Sequence, residues 1–149
     1  MLNCIPMDKQ TTFTLLVMGA LLLLGGGTIA AGVVSSMGKL SIDQIATIAH
    51  NAGFAGQDLI TAVAVAMAES GGDSNALGDS GKSFGLWQID SQYHPEFGPD
   101  FARLYDPQTN ANAAFSVYAT AGGSFLPWSA YKNGSYLAFV DNVQNTLNA

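Results

Sequence analysis

The feature that most constrains the fold is an apolar run at residues 59–68, LITAVAVAMA, which only Thr61 interrupts. A helix that is apolar on every side must be buried on every side. We therefore predict a central buried helix over about residues 57–70. Its last two residues are Glu69 and Ser70, so a carboxyl group lies at the end of a helix that the rest of the domain surrounds.

Such a helix end is an unfavourable place for the negative charge of Glu69. The C-terminal end of the helix dipole is negative, and apolar surroundings also disfavour an ionised carboxylate. The side chain can turn out into water, as an average glutamate does, or it can stay in the apolar setting and hold a proton. The second arrangement is the one that a catalytic general acid requires.

Two aspartates follow in a contrasting environment. Residues 71–83 are predicted as a Gly-, Ser- and Asp-rich loop that contains Asp79, and residues 84–90, FGLWQID, as a short strand or turn that ends at Asp90. Glycosidases combine one protonated carboxyl group with one ionised carboxylate. Asp79 and Asp90 fit the ionised role, and they also fit the ordinary role of solvated turn residues.

The remaining pattern predicts a mainly α domain with a small β-hairpin or turn region. Ser41 and Gln44 form a capping box at the start of a helix that Gly53 can end. Two more helices are predicted over about residues 108–121 and 135–147. The segment PWSAYKNGSY, just before the last helix, is predicted as a loop.

The N-terminal part has a different composition, with no charged residue from Gln10 to Met37. Residues 13–34 form an apolar run of 22 residues, and a helix needs roughly 20 to cross a bilayer core. We predict a single transmembrane helix over residues 13–34, after an N-terminal tail at residues 1–12. A linker at residues 35–40 then leads to the domain at residues 41–149.

A cleaved signal peptide is the alternative interpretation of this segment. Lys9 is its only preceding basic residue, with Asp8 beside it, and the apolar run is longer than the roughly 7–15 residues usual in a signal peptide. Both points favour the anchor. Cleavage near residues 31–38, which would release a free form of the domain, remains an alternative. One lysine flanks the apolar run on each side, so the positive-inside rule does not predict the orientation in the membrane.

Small residues within the apolar run bear on possible partners. Gly27 and Ala31 are four residues apart, as are Gly26 and Ala30. This spacing allows two helices to approach closely, and it is also tolerated in a plain anchor. The lipid bilayer is therefore the predicted partner of residues 13–34, and self-association or contact with virion proteins stays open.

Charge and residue types exclude several function classes. After the predicted anchor, four basic residues stand against ten acidic ones, which argues against nucleic acid as a partner. Any attraction to an anionic cell wall must then come from specific contacts. Cys4 is the only cysteine, and His50 and His94 are the only histidines. We therefore expect no disulfide framework, no metal site and no cofactor.

One set of motifs carries a family resemblance. The segment GDSGKSFGLWQID, after AMAESGG and before SQYHP, resembles the goose-type lysozymes and the wider lytic transglycosylase group. Asp106-Pro107 with Asn110 resembles the "DP…N" that opens a helix in that group, and residues 131–134, YKNG, resemble its "YN-x-G" with one residue inserted. The resemblance covers about residues 41–147 and implies an α+β lysozyme-like fold.

The resemblance also implies catalytic roles. Glu69 matches the catalytic acid of the family. Asp79 and Asp90 match two aspartates that position or activate the attacking water in the goose-type enzymes. Many lytic transglycosylases lack these aspartates and carry a serine near the first, so their presence here favours hydrolysis.

Further residues are expected to contact the substrate. Gln88 and Tyr131 match positions that line the sugar-binding groove, and His94 falls where goose-type sequences also carry a histidine. Trp128 is a candidate stacking platform for a sugar, whereas Trp87 points opposite Gln88 and is expected in the core. The residues expected to bind substrate are Ser70, Gln88, His94, Trp128 and Tyr131.

The implied activity is that of a peptidoglycan-degrading muramidase. It would cleave the β-1,4 bond between N-acetylmuramic acid and N-acetylglucosamine without a cofactor. The alternatives are a lytic transglycosylase, which forms 1,6-anhydro products, and a non-catalytic protein that binds peptidoglycan or scaffolds a viral membrane. Phage-encoded muralytic domains carry similar motifs, so we expect a single-pass protein of a virion membrane or a bacterial inner membrane, with its catalytic domain facing the cell wall.

Overall fold

The computed structural model describes residues 39–149. The predicted transmembrane segment, residues 13–34, lies outside this part of the chain. Within residues 39–149 no helix is both long and apolar enough to cross a membrane.

The described part is mainly helical with a small antiparallel sheet, which confirms the predicted class. Its α-helices are α1 (Ile42–Ala52), α2 (Gly56–Ser70), α3 (Pro107–Thr120), α4 (Ser129–Lys132) and α5 (Leu137–Leu147). Its strands are β1 (Leu77–Gly78), β2 (Ser83–Phe84) and β3 (Ile89–Asp90). Two 3-10 helices, Pro95–Phe97 and Phe101–Tyr105, lie between β3 and α3.

Helix α2 is the centre of the core, as its apolar sequence predicts. Residues 62–66 are fully buried, and α1 and α5 pack against the helix. Trp87 is also fully buried, and its Nε1 donates a hydrogen bond of 2.9 Å to the carbonyl of Ala62. The core position expected for Trp87 is confirmed. Helix α2 ends at Ser70, and Gly71 follows in the left-handed conformation.

The start of the domain also follows the sequence signal. The Ser41 N–H donates to Oε1 of Gln44 at 2.9 Å, and the Gln44 N–H donates to the Ser41 hydroxyl at 3.3 Å. The capping box is therefore confirmed. Lys39 and Leu40, which the sequence assigns to the linker, already pair with the domain. Lys39 forms a β-bridge with Asp73, and the Leu40 N–H donates to the carbonyl of Gly72.

The three strands form an antiparallel sheet in the order β1-β2-β3. Gly78 pairs with Ser83, and Ser83 pairs with Asp90, so these three residues form one row across the sheet. The buried side chain of Asn110 joins the sheet to α3. It accepts from the Trp87 N–H at 2.9 Å and donates to the Phe84 carbonyl at 2.8 Å.

Gly85 makes this attachment possible. It has a φ of 72°, and a Cβ atom there would lie 2.5 Å from Nδ2 of Asn110. A side chain at this position would therefore collide with the residue that anchors the sheet, and would also strain the backbone.

The loop predicted for PWSAYKNGSY is wrong in part, because residues 129–132 form α4. The short helix lies between Pro127 and Gly134, whose turn signals dominate the sequence pattern.

Candidate active site

A cleft lies between the sheet, the end of α2 and the segment at residues 127–132. It consists of two adjoining cavities of about 400 Å³ and about 500 Å³. Glu69, Asp79 and Asp90 all line the smaller one, which we call the acidic cavity. His94 lines the larger one, which we call the histidine cavity. Both cavities share the lining residues Gln88, Asp90, Tyr93, Pro127, Trp128 and Lys132.

Glu69 is half-buried and is held by α4. Its Oε1 accepts a hydrogen bond of 2.9 Å from the Ala130 N–H and one of 3.3 Å from the Ser129 hydroxyl. The first N–H groups of any helix lack a partner within that helix. The residue before α4, Trp128, provides no side-chain cap, so Glu69 serves as the acceptor. The side chain is thereby held at the cleft.

This arrangement leaves the second oxygen of Glu69 available. No residue within 39–149 donates a hydrogen bond to Oε2. A protonated carboxyl group can therefore accept with Oε1 and present the proton on Oε2 to a substrate atom in the acidic cavity. General acid catalysis requires that division of roles.

Asp79 lies on the opposite wall, at the turn between β1 and β2. It is exposed and has a φ of 48°, and the next residue, Ser80, has a φ of 58°. Positive φ is uncommon outside glycine, but aspartate tolerates it better than most residues. Oδ2 of Asp79 accepts a hydrogen bond of 2.6 Å from the hydroxyl of buried Ser83.

Asp90 stands beside the same serine. Ser83 and Asp90 are directly paired across β2 and β3. Side chains of paired residues point to the same face of a sheet, with Cβ atoms about 4.5–5.5 Å apart. Oδ1 of Asp90 accepts a hydrogen bond of 2.7 Å from the Gln92 N–H. Ser83 thus brings Asp79 and Asp90 together, and each aspartate keeps one oxygen without a hydrogen bond from residues 39–149.

Gln88 is fixed between the two cavities. Its Nε2 donates to the carbonyls of Gly85 and Ala76, at 2.8 Å and 3.2 Å. Gly78 lies so close to Oε1 of Gln88 that a Cβ atom there would collide with it. No buried side-chain nitrogen or oxygen within the described residues lacks a partner, so the unbonded Oε1 of Gln88 reaches solvent. It can accept a hydrogen bond from a hydroxyl or amide group of a sugar.

His94 contributes to the histidine cavity alone. Its Nδ1 lies 3.1 Å from Oε1 of Glu96. The pKa of Glu96 is lowered, first by a hydrogen bond from its own backbone N–H; burial opposes this, and the hydrogen bond and charge of His94 lower the pKa further. Glu96 is exposed and His94 is half-buried, and the backbone N–H of His94 donates a hydrogen bond of 2.9 Å to the carbonyl of Asp90.

Trp128 has a more structural position than the sequence predicts. The residue is only 5% exposed, and its Nε1 donates to the carbonyl of Trp87 at 2.8 Å. The ring lines both cavities but presents little surface for stacking.

Two residues expected to bind substrate do not line the cleft. The Ser70 hydroxyl donates to the Ala66 carbonyl at 3.0 Å and accepts from the Gly72 N–H at 3.2 Å. Tyr131 stacks on Tyr136, with ring centroids 4.9 Å apart. Ser70 thus makes its hydrogen bonds at the C-terminal end of α2, and Tyr131 packs against the core.

The structure adds four residues to the expected set. Ser83 links the two aspartates, and the Ser129 hydroxyl bonds to Glu69. Tyr93, 78% exposed, and Lys132 line both cavities. Tyr93 precedes His94 within the SQYHP segment, so its closeness to the resemblance motif was the available signal. Ser83 lies inside the GDSGKSFGLWQID segment and had the same kind of signal, whereas Ser129 lies outside the motifs that carry the resemblance.

No group of three or more His, Cys, Asp or Glu side chains within residues 39–149 is arranged to hold a metal ion.

Comparisons with known proteins agree with this geometry. The family described as lysozyme-like domain matches residues 46–130, more than half of the 149 residues, and this range includes Glu69, Asp79 and Asp90. Comparisons with curated proteins and with solved structures found no match. The family implies a peptidoglycan-degrading activity, as a muramidase or a lytic transglycosylase. The chain therefore belongs to the lysozyme-like domain family.

Proposed function

We propose that the chain is a muramidase that hydrolyses the β-1,4 bond between N-acetylmuramic acid and N-acetylglucosamine in peptidoglycan, with Glu69 as the general acid. One observation carries the proposal. Glu69 is held through Oε1 at one wall of the acidic cavity, and Asp79 and Asp90 lie together at the other wall.

The reaction follows from this arrangement. Glu69 transfers the proton on Oε2 to the glycosidic oxygen as the bond from that oxygen to the anomeric carbon breaks. Positive charge develops on the sugar ring, which the ionised aspartates stabilise. A water molecule held by Asp79 and Asp90 forms a new bond to the anomeric carbon and gives one proton to a carboxylate. In glycosidases, a separation of roughly 6.5–9.5 Å between the carboxyl groups of the acid and the base goes with inversion at the anomeric carbon. We expect inversion here if Glu69 and the aspartates are spaced in this way.

Lytic transglycosylation is the second candidate, because the family includes both chemistries. There the sugar's own 6-hydroxyl attacks the anomeric carbon, so Glu69 acts without a water-holding partner. The paired aspartates beside Ser83 favour hydrolysis. Asp79→Ala and Asp90→Ala separate the two candidates, since near-normal turnover in both variants would refute the water-holding role.

Glu69→Gln tests the enzyme proposal as a whole. Glutamine keeps an acceptor for the Ala130 N–H but has no proton to transfer, so clearing of purified cell walls should fall at least about 100-fold. Asp141→Asn, an exposed residue of α5, is the matched control and should clear walls normally. Unchanged clearing by Glu69→Gln would favour a non-catalytic peptidoglycan-binding or scaffolding protein.

The membrane part of the proposal rests on the apolar run at residues 13–34. We place the chain in a virion membrane or a bacterial inner membrane, with the described domain facing the cell wall. The full chain should remain in the membrane pellet after carbonate extraction. Release into the supernatant would contradict the anchor.

A further inference from the structure

We infer that Lys132 binds a carboxylate of the peptide that peptidoglycan carries, so that the cleft prefers strands with ionised peptide carboxylates to strands in which those groups are neutral. The inference rests on the proposed function and names a determinant of its specificity. The evidence is the position, the exposure and the unpaired state of one ammonium group.

The first observation is position. Lys132 is the last residue of α4, and its backbone N–H donates to the Trp128 carbonyl at 3.2 Å. Its exposed side chain lines both cavities. Of the four lysines and arginines within residues 39–149, it is the one that lines either cavity.

The second observation is the absence of a neutralising partner. Glu69 and Asp90 line the acidic cavity with Lys132, yet no carboxylate of residues 39–149 lies within 4.0 Å of its ammonium group. The ion pair found in this part of the chain joins His94 and Glu96. The positive charge of Lys132 is therefore available to a ligand.

The third argument comes from the chemistry of the polymer. The chain has a net charge of −6, so an anionic wall is repelled at long range. N-acetylglucosamine is neutral, and the lactyl carboxyl group of N-acetylmuramic acid is amidated wherever the peptide is attached. The free carboxylates of a peptide-bearing strand therefore lie on its peptides. A lysine at the edge of an acidic cleft supplies the local attraction that the net charge does not. A compact ammonium suits a flexible carboxylate that needs no fixed bidentate geometry.

Two forms of one substrate test this directly. Peptidoglycan is compared with the same material after its carboxyl groups are converted to neutral amides with carbodiimide and ammonium chloride. The full-length chain is assayed in detergent as wild type, Lys132→Met, Lys132→Arg and Arg103→Met. Arg103 is exposed on the Phe101–Tyr105 helix and lines neither cavity, so Arg103→Met is the control for lost charge.

Lys132→Met should lower kcat/KM on native peptidoglycan about fivefold, the upper range for an exposed ion pair. It should leave kcat/KM on the amidated form unchanged. Lys132→Arg should restore most of the difference, and Arg103→Met should behave as wild type on both forms. An equal loss by Lys132→Met on both substrates would overturn the inference, because it would show that the lysine supports the cleft rather than the peptide.

A binding assay separates failure of this inference from failure of the proposed function. Co-sedimentation of Glu69→Gln with native and amidated walls measures affinity without turnover. If wild type cleaves neither form but the affinity difference depends on Lys132, the hydrolase proposal fails and the lysine site stands. If Lys132→Met binds native walls as tightly as the parent chain, the lysine site is refuted whatever the activity.

Discussion

Different interactions position the acidic side chains on the two walls of the cleft. The helical wall presents Glu69 from the end of a helix whose middle turns are fully buried, and a backbone N–H 61 residues away fixes the side chain. The sheet wall presents Asp79 and Asp90 from strands of two residues each. Three of its non-glycine residues, Asp79, Ser80 and Gln88, have positive φ. Core packing therefore places the acid, whereas turn geometry and one buried serine place the water-holding side.

The first way to test this contrast is to shorten the acid. Glu69→Asp keeps a carboxyl group but withdraws it by one methylene, so it cannot reach the Ala130 N–H and the glycosidic oxygen together. A misplacement of about 1 Å can cost about 100-fold in rate, and we expect a loss of that size in kcat. Steady-state wall clearing measures it, and circular dichroism should show unchanged helix content. A loss below about threefold would mean that the helical wall does not set the geometry.

The second test loosens the sheet wall alone. Ser83→Ala removes the hydrogen bond that holds Asp79 beside Asp90. A hydrogen bond to a charged group contributes about 1.5–3 kcal/mol, so hydrolysis should fall about tenfold. Ser116→Ala, exposed on α3, is the matched control. Normal kcat in Ser83→Ala would show that the aspartates do not need the serine.

The third test concerns the exposed ring between the walls. Tyr93→Ala removes the only largely exposed aromatic side chain of residues 39–149, one that lines both cavities. Packing of an aromatic ring contributes about 0.5–1.5 kcal/mol, so KM should rise about fivefold with kcat little changed. Tyr93→Phe should retain most of the affinity. Equal KM in Tyr93→Ala and wild type would remove Tyr93 from the binding surface.

The smallest effect is expected far from the chemistry, at the start of α3. Oδ1 of Asp106 accepts from the N–H and the hydroxyl of Thr109 at 2.8 Å and 2.7 Å. These bonds lower the pKa of Asp106 below 3.8, so its charge stabilises the fold above that pH and the contribution is lost as pH falls below it.

Asp106→Ala should therefore lower the free energy of unfolding by about 1 kcal/mol at neutral pH, with activity per folded molecule unchanged. The difference from wild type should narrow as pH falls through 3.8 and below. Asp106→Asn retains a side chain that caps the helix well, so its free energy of unfolding should fall less than that of Asp106→Ala. Urea titrations at pH 7 and about pH 3 measure both effects, and a gap that widens in acid would contradict the assignment.

The sequence predicts the helical wall of the cleft better than the sheet wall. Helix α2 and the terminal position of Glu69 follow from local periodicity, which a sequence shows directly. Trp87 is buried as predicted, but strand alternation is not the reason, because Leu86 is also fully buried and Gln88 has a positive φ. Strands of two residues carry no alternation, so the row through Ser83 has no sequence signal. Their antiparallel pairing becomes visible only in three dimensions.

The helical wall also contains a part that sequence reasoning misses. Helix α4 has four residues between two strong turn signals, and its N–H contact with Glu69 joins distant parts of the chain. The same segment explains why Tyr131 packs away from the cleft and Lys132 lines it. Family resemblance located the acidic residues, but it gave no indication of these contacts.

In the proposed hydrolysis, the helical wall donates a proton while the sheet wall holds water. Mass spectrometry of the products of purified peptidoglycan, digested by the full-length chain, tests it most directly. We expect muropeptides with a reducing end, which contain the added water, and their loss in Asp90→Asn. Products lighter by one water, the 1,6-anhydro form, would contradict it, because the sugar's own hydroxyl would then be the nucleophile and Asp79 and Asp90 would have no water to hold.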